Sequence, residues 1–200
     1  MESLRDKHVE NTRQTLLDTA ARLFAEREYA DLSAEELVRA AGLTRGALYH
    51  HFDGKKGLFE AVIDDLEQQA AQRIRAAIDS STDPVERVER AMETFLDICT
   101  EPLYRHVVLL QGPIALGWRR WRELDQRHLS GLVVEAAHNL LDADRIQPHP
   151  PELLASAFYG ALTEMSLSIA ESDDLTHGRA RAVELARALL NGLVTPETGN

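Results

Sequence analysis

The sequence predicts an all-α protein: an N-terminal three-helix domain of the helix-turn-helix kind, followed by a larger C-terminal helical bundle. Three observations carry this. Apolar residues recur at three- and four-residue intervals between breaks, the period of an amphipathic helix. The breaks themselves, at Gly42, Ser80 to Pro84, Glu101-Pro102, Gly112-Pro113 and Gln147 to Pro151, are helix stop and start signals. No stretch alternates as a strand would, and no internal repeat appears.

The first helix is expected to be capped by Asn11 with Gln14, and its stripe Leu16, Leu17, Ala20, Leu23 and Phe24 packs behind the two short helices that come after it. Ser33 with Glu36 three residues on forms a capping box for the helix AEELVRAA. That helix stops at Gly42, the residue suited to the left-handed conformation past a helix end. Thr44 caps a second short helix, RGALYHHF. Lys55 and Lys56 then open a long helix running to Ile78. Further helices are expected near 84–100, 102–111, 113–142, 151–171 and 176–194. Asp83-Pro84 and Pro150-Pro151 place proline where helix starts tolerate it. The first ten residues and 196–200 read as loose ends. The domain division expected is 1–56 and 57–200.

A helix, a glycine turn and a second helix make the pattern whose second member enters the DNA major groove. At about 100° per residue, Leu48 and Phe52 fall inward and Gly46 and His50 outward, flanked by Ala47 and Tyr49. Arg45, in the first turn, has the reach to bend outward. An ordinary surface helix would carry Glu, Lys and Gln there. Gly46 permits close backbone approach, Arg45 matches a guanine edge or a phosphate, and Tyr49 and His50 offer flat faces with polar tips. Lys55 and Lys56 suit a phosphate at a helix start. The competing reading is an ordinary helical corner with an aromatic lid.

The run TRQTLLDTAARLFAEREYADLSAEELVRAAGLTRGALYHHFDGKKGLFEAV, residues 12–63, resembles the N-terminal domain of the tetracycline-repressor-like (TetR) transcriptional regulators. Its most specific segment is Tyr49, His50, His51, Phe52 and Lys55. The resemblance implies that Ser33 holds a phosphate and that Thr44, Arg45, Gly46, Ala47, Tyr49 and His50 face bases and backbone. It also implies that His51 and Lys55 grip phosphate. One departure is visible: many members have Gly before the Tyr that ends the first helix, where this chain has Glu28 before Tyr29.

The formal net charge of −11 runs against DNA binding until it is divided. Residues 1–56 hold nine Lys and Arg against ten Asp and Glu, leaving almost the whole acidic excess to residues 57–200. The acidic part repels a polyanion except where the N-terminal part presents its basic edge, which disfavours nonspecific attachment. No apolar run near eighteen residues and no secretory signal are read, so no membrane partner is expected. The single Cys99 fits a reducing cytoplasm. The eight His are scattered without a ligand spacing, so neither metal nor cofactor is expected. No GxSxG, HExxH or phosphate-binding glycine loop supports catalysis.

The two helices within residues 151–194 are apolar on more than one face, Leu154, Phe158, Met165 and Ile169 on one and Val183, Leu189, Leu190 and Leu193 on the other. They serve either as internal core or, as the resemblance implies, as half of a four-helix bundle in a homodimer. Reading an operator also calls for a dimer, because one short helix contacts too few bases. The resemblance further implies a small-molecule pocket around residues 92–121, with Phe95, Cys99, Tyr104, Trp118 and Trp121 as candidates and Phe158 and Glu164 from the later helix. Simple core packing explains the same aromatics. Glu164 either faces the pocket or pairs with an Arg at the subunit interface. The expected function is thus a ligand-responsive regulator, a repressor that binds a palindromic DNA operator as a dimer and leaves it when a small, mostly apolar effector binds. A helical adaptor that has lost DNA binding, or an enzyme with an unrecognised site, are the alternatives.

Overall fold

A computed structural model describes residues 4–195. Helix α1 spans Leu4–Glu26 and is followed by a short 3-10 turn, Tyr29–Asp31. Helices α2 (Ala34–Ala40), α3 (Arg45–Phe52) and α4 (Lys55–Ile78) complete the N-terminal part. The rest comprises α5 (Pro84–Ile98), α6 (Pro102–Tyr104), a π-helical segment (Arg105–Gln111), α7 (Gly112–Leu116), α8 (Trp118–Asp142), α9 (Pro151–Ala170) and α10 (Leu175–Asn191). The fold is all-α, and among the described residues the one β feature is an isolated antiparallel bridge between Ile146 and Val194.

The local signals act as their chemistry requires. Ser33 Oγ accepts from the Glu36 amide at 3.2 Å, and Glu36 Oε2 accepts from the Ser33 amide at 2.9 Å, so both halves of the capping box are made. Gly42 takes φ +67°, the left-handed value that ends α2. Thr44 Oγ1 caps α3 by accepting from Ala47 N at 3.3 Å. A Cβ on Gly57 would lie 1.6 Å from the Phe52 carbonyl oxygen, so the end of α3 sits directly on the first turn of α4. Only glycine allows that approach.

Three expectations need correction. Asn11 does not cap α1; it lies inside it, its carbonyl accepting from Thr15 Oγ1 at 2.8 Å. Residues 4–10, read as a loose start, continue the helix, while residues 1–3 and 196–200 lie outside the described residues. The break placed at Gly112-Pro113 falls instead at Gly117, which has φ +80°. Helical backbone passes through Pro113 because the proline stands in the first turn of α7, where its missing N–H is not needed.

The departure at Glu28 is also accounted for. Its backbone is extended, φ −62° and ψ 143°, so the position makes no demand for glycine. Tyr29 then packs on Phe59 and Phe24, with ring centroids 4.8 and 6.0 Å away. One continuous core runs from Leu16 and Phe24 through Phe59 and Ile63 of α4 to Leu96, Trp121 and Leu124.

Helix α4 and Gln111 are among the connections that join the N-terminal helices to the bundle. Helix α4 belongs to both, burying Leu58, Phe59, Val62 and Ile63 at one end and Ala70, Ala71 and Ile74 toward the other. Gln111, buried at the end of the π segment, donates from Nε2 to Phe24 O at 3.0 Å and to Arg27 O at 3.4 Å, and its Oε1 accepts from Tyr29 N. It therefore satisfies backbone groups left open where α1 ends. At the other end of the π segment, Arg105 Nε donates to Ala170 O at 2.7 Å, closing the C-terminus of α9.

Helix α9 also corrects the reading of the apolar runs. By length and composition alone, Pro151–Ala170 is long and apolar enough to cross a membrane, yet it packs on α8 and α10 and carries Glu164 in its second half.

The capping box generates a pH prediction. Hydrogen bonds from the Ser33 backbone and side chain, with Arg27 beside it, hold the Glu36 carboxyl down at about 2 from an ordinary value of 4.5. Since the folded value is the lower one, the carboxylate's contribution is complete above pH 4.5 and is lost as the pH falls toward 2. Glu36→Gln should therefore flatten the fall in Tm over that window. Parallel Tm curves for variant and wild type would show the cap to be inert.

Candidate nucleic-acid interface and interior cavity

Helix α3 presents two distinct faces. Leu48 and Phe52 are buried, locking the helix onto α1 and α4. Arg45, Gly46, Tyr49 and His50 are exposed, with Ala47 and His51 half-buried at the edges. The Arg45 guanidinium lies 5.4 Å from the Tyr49 ring centroid, donates to Tyr49 Oη at 3.4 Å, and pairs with Glu35 Oε1 at 2.6 Å. Both partners of that ion pair are well exposed, so it is exchangeable for a stronger anion. His50 and His51 meet edge to face at 4.9 Å. Burial, then His50 and Arg13, push the His51 imidazole below its usual pKa. Ser33 and Thr44 are exposed at the starts of α2 and α3, each with its hydroxyl engaged in a cap.

Lys55 is placed differently from the sequence expectation. Its Nζ donates to Tyr29 O at 2.8 Å and Leu32 O at 2.7 Å and lies 4.0 Å from the Tyr29 ring centroid. The ammonium is thus turned into the protein, where it ties the 3-10 turn to α4, and burial lowers its pKa. Lys56, beside it, is exposed.

Ion pairs connect this corner to the bundle. Arg120 Nε donates to Glu60 Oε2 at 3.0 Å, Arg127 Nη1 to Asp64 Oδ1 at 2.6 Å, and His128 Nε2 lies 3.1 Å from the same oxygen. All three cross from α8 to α4.

The bundle partly encloses a mostly apolar cavity of about 110 Å³, open to the surface near Glu135. It lies among the far half of α4 (Ile74, Ile78), α5 (Met92, Phe95), α8 (Leu129, Leu132), α9 (Phe158, Tyr159) and α10 (Leu190). Of the candidates from sequence, Phe95 and Phe158 line it. Cys99 and Tyr104 are buried one layer away, outside its wall. Trp121 is fully buried below Gly112, its indole N–H donating to Val108 O at 2.8 Å, and Trp118 meets it at a tilt of 44° with centroids 5.0 Å apart and half its surface in water. These two tryptophans brace the junction rather than the cavity. Glu164 is exposed on the outward side of α9, away from the cavity wall.

Beside the cavity lies a polar group that the sequence reading passed over. Glu67 and Asp125 are buried carboxyls. Tyr104 Oη donates to Glu67 Oε2 at 3.1 Å, and Tyr159 Oη donates to Asp125 Oδ2 at 2.7 Å. Arg122 lies 3.4 Å from Asp125 Oδ2, donates to Thr163 Oγ1 at 2.7 Å, and covers the Tyr159 ring at 4.7 Å. Burial, then Asp125, push the Glu67 carboxyl well above the usual range; burial raises Asp125 as well. One signal was available in the sequence. Glu67 falls in the inward register of Ile63, Leu66, Ala70, Ala71 and Ile74, where an acid is out of place.

Similarity to known proteins agrees with both halves. Residues 16–62 match the profile described as bacterial regulatory proteins, tetR family, and residues 85–193 match that of the tetracyclin repressor-like C-terminal domain. The crystal structure of a TetR-family transcriptional regulator from Pectobacterium atrosepticum is 35% identical, covers 95% of this chain and 97% of its own, and superposes with a TM-score of 0.84. The HTH-type transcriptional regulator UidR of Escherichia coli is 25% identical over 190 residues, 92% of this chain and 93% of its own. RolR, whose structure is a complex with resorcinol, shares the fold at 17% identity and a TM-score of 0.69, over 95% of this chain and 98% of its own.

Proposed function

Since the chain belongs to the TetR family of bacterial transcriptional regulators, we propose that it is a homodimeric repressor that leaves its DNA operator when a small apolar effector enters the bundle cavity. Such a regulator works beside the chromosome, in the cytoplasm. The observation that carries the reading is the outward face of α3. Arg45, Tyr49 and His50 are exposed there around Gly46, on a helix whose other face is locked into the core. A surface of this kind suits base edges and backbone in the major groove. Ser33 and His51 border it to hold phosphate, and Thr44 and Ala47 to face bases and backbone, with Lys56 on the same corner. Lys55 contributes by holding the corner's shape. An adaptor that had lost DNA binding would carry acidic or apolar residues on this face.

The dimer is supported by apolar surface on the last two helices. Leu153 of α9 is 67% exposed, and Leu185 and Leu189 of α10 are 51% and 43% exposed. Large apolar side chains left in water on two adjoining helices favour an interface there. Small residues, Ala157 and Gly160 on α9 and Ala188 on α10, permit close helix approach. Glu164 and Arg181 stand on these same outward sides, which favours the interface role for Glu164 over a place in the pocket. Two-fold symmetry then sets two copies of α3 about one DNA turn apart, roughly 34–36 Å.

Release is supported by the cavity's position against the last turns of α4, whose first turn carries α3. That RolR was solved with resorcinol favours a small-molecule effector in this fold. The ligand must favour the spread state by a few kcal/mol over the DNA-bound one.

Two outcomes test the reading. Arg45→Ala and Tyr49→Ala should each cost about 1–3 kcal/mol of specific binding to DNA from upstream of the gene, read by fluorescence anisotropy, with Tm unchanged because both side chains are exposed. Full operator affinity in the double variant would remove α3 from the reading surface. Leu185→Glu should leave each subunit folded but convert the dimer to monomer in light scattering, with operator affinity lost alongside. A wild-type protein already monomeric at micromolar concentration would end the dimer proposal.

A further inference from the structure

The few polar residues that line the cavity fall into two groups. At its inner end are Tyr159 and Thr163, and both are already committed. Tyr159 Oη donates to Asp125, while Thr163 Oγ1 accepts from Arg122 and donates to the Tyr159 carbonyl. At its open end stand Arg87 of α5 with Glu135 and Asn139 of α8. Arg87 belongs to the stripe of α5 that walls the cavity, at helical spacing with Pro84, Val88, Ala91 and Phe95. It precedes Phe95 by about 12 Å along the axis, and Glu135 and Asn139 follow Leu129 by about 9 and 15 Å. The ion pair of Arg145 with Asp83 fastens the chain just after α8 to the start of α5, so these three residues share one end.

Arg87 is half-buried, and its guanidinium has neither an ion pair nor a hydrogen bond among the described residues. Each of the other half-buried arginines there, Arg13, Arg105, Arg120, Arg122, Arg145 and Arg179, holds a carboxylate or a carbonyl. Arg39, Arg75 and Arg181 also lack such a partner, but they stand in water. A cation drawn partly out of water without a counter-charge is costly, and an anion offsets the cost. A carboxylate does so best, because its two oxygens match the planar fork of a guanidinium. Glu135 does not pair with Arg87, and it is exposed, where water and salt screen it.

We propose that the cavity takes an elongated apolar monocarboxylate, its chain running inward toward Phe95 and Leu129 and its carboxylate paired with Arg87 at the open end. This rests on the reading of the cavity as the effector site and names the class of effector. The polar residues fix the direction of entry. The inner end offers a head group no free donor, since the hydroxyls of Tyr159 and Thr163 are both engaged, and an anion there would approach Asp125. The open end offers Arg87 and the amide of Asn139. Glu135 opposes the ligand's charge from the same end, but as the exposed and screened group it weakens the preference without reversing it.

The probe is a series of phenylalkanoates of increasing chain length, each paired with its primary amide and with the phenylalkylamine of equal length. All are titrated calorimetrically into the full-length protein at neutral pH. We expect the best carboxylate to bind at least about tenfold more tightly than its amide, and the amine to bind no better than the amide. Arg87→Gln should abolish the preference for the carboxylate while keeping amide binding. Should that variant fail to fold, the wild-type comparison of acid with amide decides without it. Glu135→Gln, a change at an exposed position, should raise the carboxylate's affinity and leave the amide's alone. Equal affinity for acid and amide, no binding of any member, tighter binding of the amine, a preference that survives Arg87→Gln, or no rise in Glu135→Gln would each overturn the proposal. Operator release is measured separately. Carboxylates that bind with the expected preference but leave the operator complex intact would refute effector-driven release and leave the Arg87 site standing. Release by an amine or an amide, with no preference for the carboxylate, would refute the Arg87 site alone.

Discussion

The molecule depends on α4 being one unbroken helix shared by two cores. Its 24 residues span about 36 Å. Its first turn is held against α3 by the contact at Gly57, where the Phe52 carbonyl occupies the space a side chain would need. Its last turns wall the cavity at Ile74 and Ile78. A helix hydrogen-bonded along its length does not absorb a displacement at one end; it tilts. The proposed switch uses this: the packing of the bundle would set the orientation of α3.

The remaining contacts decide how that tilt is transmitted. Gln111 grips the end of α1 from the bundle side, and the π segment that carries it also holds α9 through Arg105. Such a segment breaks the regular helical ladder and recurs at functional sites. The ion pairs of Glu60 and Asp64 with Arg120 and Arg127 bind α4 to α8 midway. Lever and braces thus meet on α8, which also supplies Leu129 and Leu132 to the cavity and Asp125 to the buried polar group beside it. In the proposed switch, a ligand between α4 and α8 pushes on the pair of helices that these ion pairs hold together.

The parts of this arrangement governed by local chemistry were legible in the sequence. The capping box at Ser33 and Glu36, the stop at Gly42, the cap at Thr44 and the two faces of α3 depend on residues within a few positions of one another. Long-range geometry was not legible. Lys55 carried the look of a surface phosphate ligand, yet its ammonium turns inward because the carbonyls of Tyr29 and Leu32 converge on it, a convergence only the folded chain creates. The aromatics of 92–121 marked a dense region correctly but not its purpose. Trp121 fills the junction under Gly112, and the open space lies a layer away among aliphatic residues that no motif distinguishes. Glu164 drew notice because it interrupts an apolar helix, although α9 turns it outward. Glu67 was the more informative acid, since its helical register, rather than its neighbours in sequence, placed it inside.

That packing at the far end of α4 governs the DNA face is most directly tested by filling the cavity without any ligand. Ala137 lines it from α8 and is itself buried, so Ala137→Leu places added methyl groups in the open space. The measurement is operator affinity of this variant by fluorescence anisotropy, with its dimer and Tm verified. The predicted result is a folded dimer whose operator affinity falls at least about tenfold, a shift of roughly 1.4 kcal/mol. A folded dimer with a filled cavity and wild-type operator affinity would contradict the coupling.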